Sequence, residues 1–504
     1  VAGTRGARKA TSLLDDPVVV AQHDFLPSDT PDSPVYHLSL EARARIERAS
    51  RVVVTTALNN SPVEKAYDTL RRYCDSRGAE LVVLQARYRN PTSDLEAKRR
   101  VEEEVWPREL QPYLCANQIR LHEQLYVMGD IPIAATARNP LTGLDGLTRG
   151  ASAIFGHAQL AMETIPTPQN ELPKILHTTG SITAKRYSRS TAGAKGAFNH
   201  SVGGIVVEKK GGRFHLRQLI ADGDHVIYDL NTRYTSTGKP TLQRSIPALV
   251  TGDSHIDRID SEVVRGTYGP GGIVDRLRPR EIIWHDLLDM QSGSHHNNPL
   301  EELILHLAGR GSVKDEVRRA LEFVKQNTPA WAKSTVIPSN HNDHLARWAL
   351  TKHWTEVKHY DNALFLLELQ RAMLEGSRYT PAGVVQMDPL AAMAKQWGYS
   401  KINFLQTGES HRIRGVETGF HGHVGPSGTR GSRRAFDRIG TRSFIGHSHA
   451  PGILRGVWQV GTSSLLGLVY AQAAASAWLH THGLIHENGK RQLINLLGSE
   501  WCDE

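Results

Sequence analysis

In the second half of the chain, apolar runs recur that each end in a cluster of Asp, His or Asn. Residues 245–250 run into Gly252, Asp253, Ser254 and His255, and residues 281–284 into His285, Asp286 and Asp289. Residues 334–337 lead to Ser339, Asn340, His341, Asn342 and Asp343. Residues 415–420 lead to His421, Gly422 and His423, and residues 442–445 to Gly446, His447, Ser448 and His449. The carboxyl ends of strands are the usual place for sites in α/β proteins. Imidazole, carboxylate and carboxamide donors together suit borderline divalent ions such as manganese, iron or zinc. A single D-x-H serves as readily for hydrogen bonding, and a single G-H-x-H as a polar turn. Five clusters in one order, each after an apolar strand, point instead to a metal site.

That order resembles the calcineurin-like metallophosphoesterase superfamily, whose pattern is D-x-H, G-D-x-x-D, G-N-H-D/E, a histidine, then G-H-x-H. This chain has GDSH, HDLLD, SNHND, FHGH and GHSH across roughly its last half. His285 and Ser339 stand where the pattern has glycine, and an acidic residue follows His341 only at Asp343. Neither departure removes a ligand; the second leaves open whether Asp343 orients His341. The resemblance implies a β-sandwich flanked by helices in αββα layers. It implies that Asp253, His255 and His449 hold one metal, that Asn340, His421 and His447 hold a second, and that Asp286 bridges them. In such a centre two ions, roughly 3.5–4 Å apart, share a water and lower its pKa, and they offset charge on the phosphoryl oxygens. His341 would serve the leaving oxygen, and Asp289 would orient a ligand. In that superfamily the ligand directly follows the strand, so the resemblance prefers His421 to His423; His423 then faces substrate or is a plain loop residue.

Two neighbouring segments bear on the substrate. Residues 425–434 hold Gly425, Gly428 and Gly431 with Arg430, Arg433 and Arg434. Glycines let backbone approach a phosphate, and arginines pair with phosphate in forked geometry. Residues 293–298, with His296, read either as a phosphate contact or as the cap of a helix that begins with Pro299 and Glu301. The combination of HDLLD, SHHN and HGHVGPSGTRGS resembles, more narrowly, the early DNA-degradation proteins of T-five-like siphophages. That resemblance implies a manganese-dependent DNase acting on host DNA, with iron, zinc or magnesium as alternative ions. A phosphatase or small-molecule phosphodiesterase would use the same centre, and a non-catalytic nucleic-acid scaffold would have no need of every ligand.

The elements that must position these residues divide the 504-residue chain into an arm over 1–50, an α/β domain over 51–240 and a catalytic domain over 241–504. The arm is polar and lacks periodicity. A βαβ unit is predicted from a strand at 51–56, a helix at 62–77 capped by Ser61, and a strand at 80–86. Its Asn-Asn-Ser-Pro turn lacks a dinucleotide-type glycine pattern, so no nucleotide cofactor is expected. Short strands follow over 170–235 with a turn at Gly211 and Gly212. Long helices are expected at 300–326 and 359–374. Residues 463–479, the most apolar stretch, are mostly small and read as a buried helix, and no apolar run is long enough to span a bilayer. The start of the chain does not read as a signal peptide. Scattered Cys74, Cys115 and Cys502 fit no disulfide framework and suit the cytoplasm. Lys and Arg total 60 against 52 Asp and Glu. That modest excess fits DNA as partner or simply a soluble surface. The N-terminal half is expected to serve packing, substrate positioning or assembly into a homo-oligomer.

Overall fold

The protein is described from a computed structural model, which covers residues 36–88, 105–168, 171–294, 297–468 and 474–502. It is a mixed α/β structure built around two large sheets and a smaller one.

The first large sheet has the order Ile402–Phe404, Lys333–Val336, Glu281–Trp284, Ala248–Val250, Thr481–Ile485, Arg491–Asn495. Its first four strands are parallel and the last two run antiparallel. The central strands read as unbroken apolar runs because both of their faces are covered. Leu249, Ile282 and Trp284 face a helical layer, while Ala248, Val250 and Ile283 face the second sheet beside Phe444 and Trp458. This alternation is the period of two that a pleated strand imposes. In the helical layer, Val313, Val317, Ala320, Leu321 and Val324 form the buried stripe of helix Val313–Asn327. Helices Asn340–Thr351 and Tyr360–Gly376 pack beside it through Leu345, Trp348, Phe365 and Leu369.

The second large sheet has ten strands and crosses the expected boundary at residue 241. Gly452–Leu454 pairs antiparallel with Ala161–Ile165, Ile453 opposite Met162. Strands Ser443–Ile445 and Val457–Gln459 lie on one side of that junction, and Lys174–Thr178, Ser152–Phe155, Leu125–Met128 and Gln118–His122 on the other. The N-terminal half and the site-bearing half thus share this sheet. The change of pattern near 241 marks where the site-bearing strands begin, and the sheet continues because Gly452–Leu454 offers an edge to Ala161–Ile165. What the N-terminal half has to itself is a five-stranded sheet. In it Arg51–Leu58 and Glu80–Ala86 run parallel around helix Ala66–Arg77, and the 203–210 and 213–220 strands form a hairpin. Gly211 and Gly212, at φ 59° and 73°, make its two-residue turn.

Several local expectations change. The arm contains helix Leu40–Arg48, capped by Ser39 and anchored by buried Ile46; its residues 1–35 lie outside the described structure. Helix Ala66–Arg77 starts later than Pro62, because Val63 forms a bridge with Thr183 and holds the preceding segment extended. The helix expected at 300–326 is two, Pro299–Leu307 and Val313–Asn327, parted at Gly309 with φ 68°. The 415–420 strand is reduced to Val416–Glu417. Residues 463–479 hold no helix among those described; Ser464 bridges Ile259 and Ser476 bridges Thr167. Among the described residues no helix is long and apolar enough to cross a membrane.

Candidate metal centre

Parallel order in the first sheet puts the ends of Ala248–Val250, Glu281–Trp284 and Lys333–Val336 side by side. These ends deliver Asp253 and His255, His285 and Asp286, and Ser339 with the first turn of helix Asn340–Thr351. His421 follows Val416–Glu417 in the second sheet, and His447 and His449 follow Ser443–Ile445. Four of these residues, His255, Asp286, His447 and His449, have φ of 42°, 48°, 77° and 59°. Side chains other than glycine rarely adopt such values, and where they do, the surroundings must hold them. Here His255 N donates to Asp286 O at 2.8 Å, and His447 N donates to Asp253 Oδ2 at 2.8 Å.

The expected ligands converge in two adjoining groups. In one, His449 Nε2 lies 3.2 Å from Asp253 Oδ2 and 3.1 Å from His255 Nε2. In the other, Asn340 Oδ1 lies 3.1 Å from His421 Nε2 and 3.0 Å from His447 Nδ1. Asp286 Oδ2 is 3.7 Å from His255 Nε2 and 3.5 Å from His421 Nε2, so it touches both groups. Its Oδ1 is held by Ser339 Oγ at 2.6 Å and His341 N at 3.2 Å.

The donor set fits a cation. Asp253 Oδ1 and His285 Nε2 are buried without a hydrogen-bond partner, a costly state for polar atoms. Burial opposes ionisation of Asp253, yet His421 and His449 hold its pKa down to about 2. Burial, then the charge of His421, pushes His285 down to about 3 and His447 to about 4. Both are then neutral imidazoles at neutral pH, the form that binds metal. Against its burial, Asp289, Asp286 and Asp253 push His255 up to about 9, which reports surplus negative charge around it. Gly446 is required at its position, because a Cβ there would overlap Asp253 Oδ1 and crowd His285 Nδ1.

Two histidines join the ligand candidates. His285 groups with Asp253 and His421, its Nδ1 3.1 Å from His421 Nδ1, and His341 groups with His255 and Asp286. In the sequence His285 stands only where the pattern has glycine, and its residue type beside Asp286 is the signal. Asp289 Oδ1 lies 3.5 Å from His255 Nδ1, and Arg258 Nε pairs with Asp289 Oδ2 at 2.7 Å. Asp343 meets His423 at 3.5 Å and does not orient His341. Positions two apart on a helix point to different sides, and His341 Nδ1 instead lies 3.4 Å from Asp289 O. Arg430, on the loop after His423, and Arg434, in the short helix Arg433–Asp437 that follows, are exposed. Arg433 departs from the expected phosphate contact: its guanidinium packs over Gly452, with Nη1 buried, because the small glycine leaves room there. Asn298 caps helix Pro299–Leu307 in a full capping box with Glu301, so that segment contains a helix cap. His296 lies outside the described residues.

Over 472 residues the chain is 29% identical to Protein A1 of Escherichia phage T5, covering 89% of this chain and 82% of that protein. The similarity thus extends well beyond the site-bearing half. No family model matches the chain, and no solved structure does.

Proposed function

We propose that the chain is a metal-dependent phosphodiesterase that cuts DNA, built on the metallophosphoesterase sandwich and active in phage-driven degradation of host DNA. The observation that carries this reading is the position of Asp286 Oδ2, within 3.7 Å of one ligand group and 3.5 Å of the other. Two divalent ions bound there, manganese first and iron, zinc or magnesium as alternatives, would lower the pKa of a shared water and offset phosphoryl charge. Asp253, His255 and His449 would hold one ion, and Asn340, His421 and His447 the other. His285 borders both Asp253 and His421. Asp289 fixes the His255 ring through Nδ1, and Ser339 fixes Asp286. His341, on the first turn of its helix and edge-on to His255, donates a proton to the leaving oxygen. Asp343 holds His423 toward the substrate side, and exposed Arg430 and Arg434 take flanking phosphates. The protein works in the host cytoplasm as a homo-oligomer.

The inward turn of Arg433 reduces the basic surface beside the centre. It favours a second reading, a phosphatase or small-molecule phosphodiesterase with the same ligands. Incubation with linear and circular DNA, under manganese, magnesium or no metal, separates the two. Metal-dependent cutting supports the first reading. Hydrolysis of a nitrophenyl phosphodiester without any DNA cutting supports the second.

A further inference from the structure

A cavity of about 550 Å³ opens between the N-terminal and C-terminal halves. It lies away from the metal ligands. Arg442, in its wall, precedes strand Ser443–Ile445, and His447 follows that strand's other end. Four residues, 443–446, separate them, and the three-residue strand among them spans about 10 Å at the rise of a strand.

The wall is unusually cationic. Lys185, Arg442, Arg455, Lys490 and Arg491 line it, against Glu64, Asp222 and Asp437. Asp437 is taken by Arg455, whose Nε lies 2.9 Å from its Oδ2. Asp222 is also occupied. Its Oδ1 accepts from the backbone N–H of Asp224 and Val226, and its Oδ2 from Asn488 Nδ2. Arg491 is buried; it donates to the carbonyls of Ser443 and Gly456 and lies over the rings of Phe444 and Trp458. Among the described residues, Lys185, Arg442, Lys490 and Arg491 enter no ion pair with a carboxylate. Burial first, and Arg442 second, lower the pKa of Lys490 and push Arg491 down to about 9. Like charges gathered in a partly enclosed space repel one another, and a bound anion relieves that repulsion.

We propose that this cavity binds a small phosphorylated molecule, its phosphate held by Arg442 and Lys490 with Lys185 at the rim. A phosphate dianion matches the two cations left over once each carboxylate is set against one. It also offers enough oxygens for several donors at once. The volume lies within the range of small-molecule pockets and exceeds what a bare ion needs. Phe198, in the wall and 85% exposed, supplies apolar surface for the rest of the ligand. The site uses none of the metal ligands, so this inference stands apart from the catalytic reading.

Calorimetric titration of metal-free, full-length protein tests it, with deoxyadenosine monophosphate, inorganic phosphate and deoxyadenosine as probes. The monophosphate binds and deoxyadenosine does not. Arg442→Ala and Lys490→Ala each weaken binding about tenfold or more, the loss expected for one charge-assisted hydrogen bond. Lys490→Arg retains binding, and all three variants keep the metal stoichiometry of the wild type. Inorganic phosphate binding as tightly as the nucleotide supports the site and identifies free phosphate as its ligand. Failure of both phosphate compounds to bind overturns the proposal. So does deoxyadenosine binding equally well, or affinity untouched by both alanine substitutions in folded protein.

Discussion

Asp286 Oδ2 is the atom on which the two ligand groups meet, and its consequences can be read by substitution. Asp286→Asn is expected to lower manganese binding at both groups, whereas His255→Ala weakens chiefly the group of Asp253 and His449. Titration of metal stoichiometry distinguishes these outcomes; full stoichiometry with full activity in Asp286→Asn would refute the shared position. His341 can be tested the same way. It stacks edge-on to His255 with ring centroids 4.6 Å apart and hydrogen-bonds Asp286 through its backbone. If it serves the leaving group, His341→Ala keeps its metal and loses turnover, most of all on esters with poor leaving groups. Loss of metal would make it a ligand instead.

Among the elements, helix Asn340–Thr351 and the loop after His423 link the fold to the site. Ser339 caps that helix through Asn342 N and also donates to Asp286 Oδ1. Ser339→Ala removes both hydrogen bonds, with about 1 kcal/mol expected from the cap alone. Ser339→Gly loses the same two hydrogen bonds, but glycine at an N-cap costs the helix only about a few tenths of a kcal/mol. Both variants should bind metal more weakly, and only the alanine should melt clearly lower. Wild-type metal affinity in the glycine variant would show that the hydroxyl does not position Asp286. In the loop and the short helix that follows it, Arg430 and Arg434 are exposed while Arg433 is tucked over Gly452. Removing Arg430 and Arg434 together should weaken DNA binding and flatten its salt dependence, by about 0.9 in slope for each phosphate left without its arginine. Nitrophenyl phosphodiester hydrolysis should survive. A double variant that cuts DNA normally but loses the small ester would put the phosphatase reading ahead.

Across the whole molecule, buried histidines make stability depend on pH. Burial pushes His177, His200 and His486 each down to about 4. An unfolded histidine protonates near 6.5. Between about pH 6.5 and 4 the unfolded chain therefore takes up protons that the folded chain refuses, and stability falls as pH falls. Urea midpoints of metal-free protein at pH 7.5 and 5 should show that loss. His486 stacks on Tyr228, and neither of its ring nitrogens has a hydrogen-bond partner. His486→Phe should keep the stack and reduce the pH slope; an unchanged slope would mean that His486 does not contribute. Assembly belongs to the same scale. Leu300, Leu303, Ile304 and Leu307 are exposed at helical spacing on one helix, and Tyr360, Leu364, Leu367 and Leu374 on another. The stacked rings of His306 and His359 join the two helices. An apolar face of this extent is uncommon on a monomer. Light scattering should show an oligomer, and Leu303→Glu with Leu364→Glu should shift it toward monomer. A wild-type monomer would remove assembly from the proposal.

The site-bearing strands were legible in the sequence because a strand covered on both faces needs an unbroken apolar run, as in Ala248–Val250 and Glu281–Trp284. The polar residues at their ends stood out against that background, and parallel pairing then places those ends at one edge. Local chemistry likewise announced the Gly211–Gly212 turn and the Asn298 cap. Other features depend on partners far away in the chain. The 463–479 stretch is apolar enough for a buried helix, yet Ile259 and Thr167 engage it as extended backbone. Arg433 differs from Arg434 in where it points, and Gly452 decides that, while His285 joins the site through its contact with His421. The ten-stranded sheet and the cationic cavity both unite segments hundreds of residues apart. Periodicity records which face of an element is buried, but long-range packing alone chooses what that face is buried against.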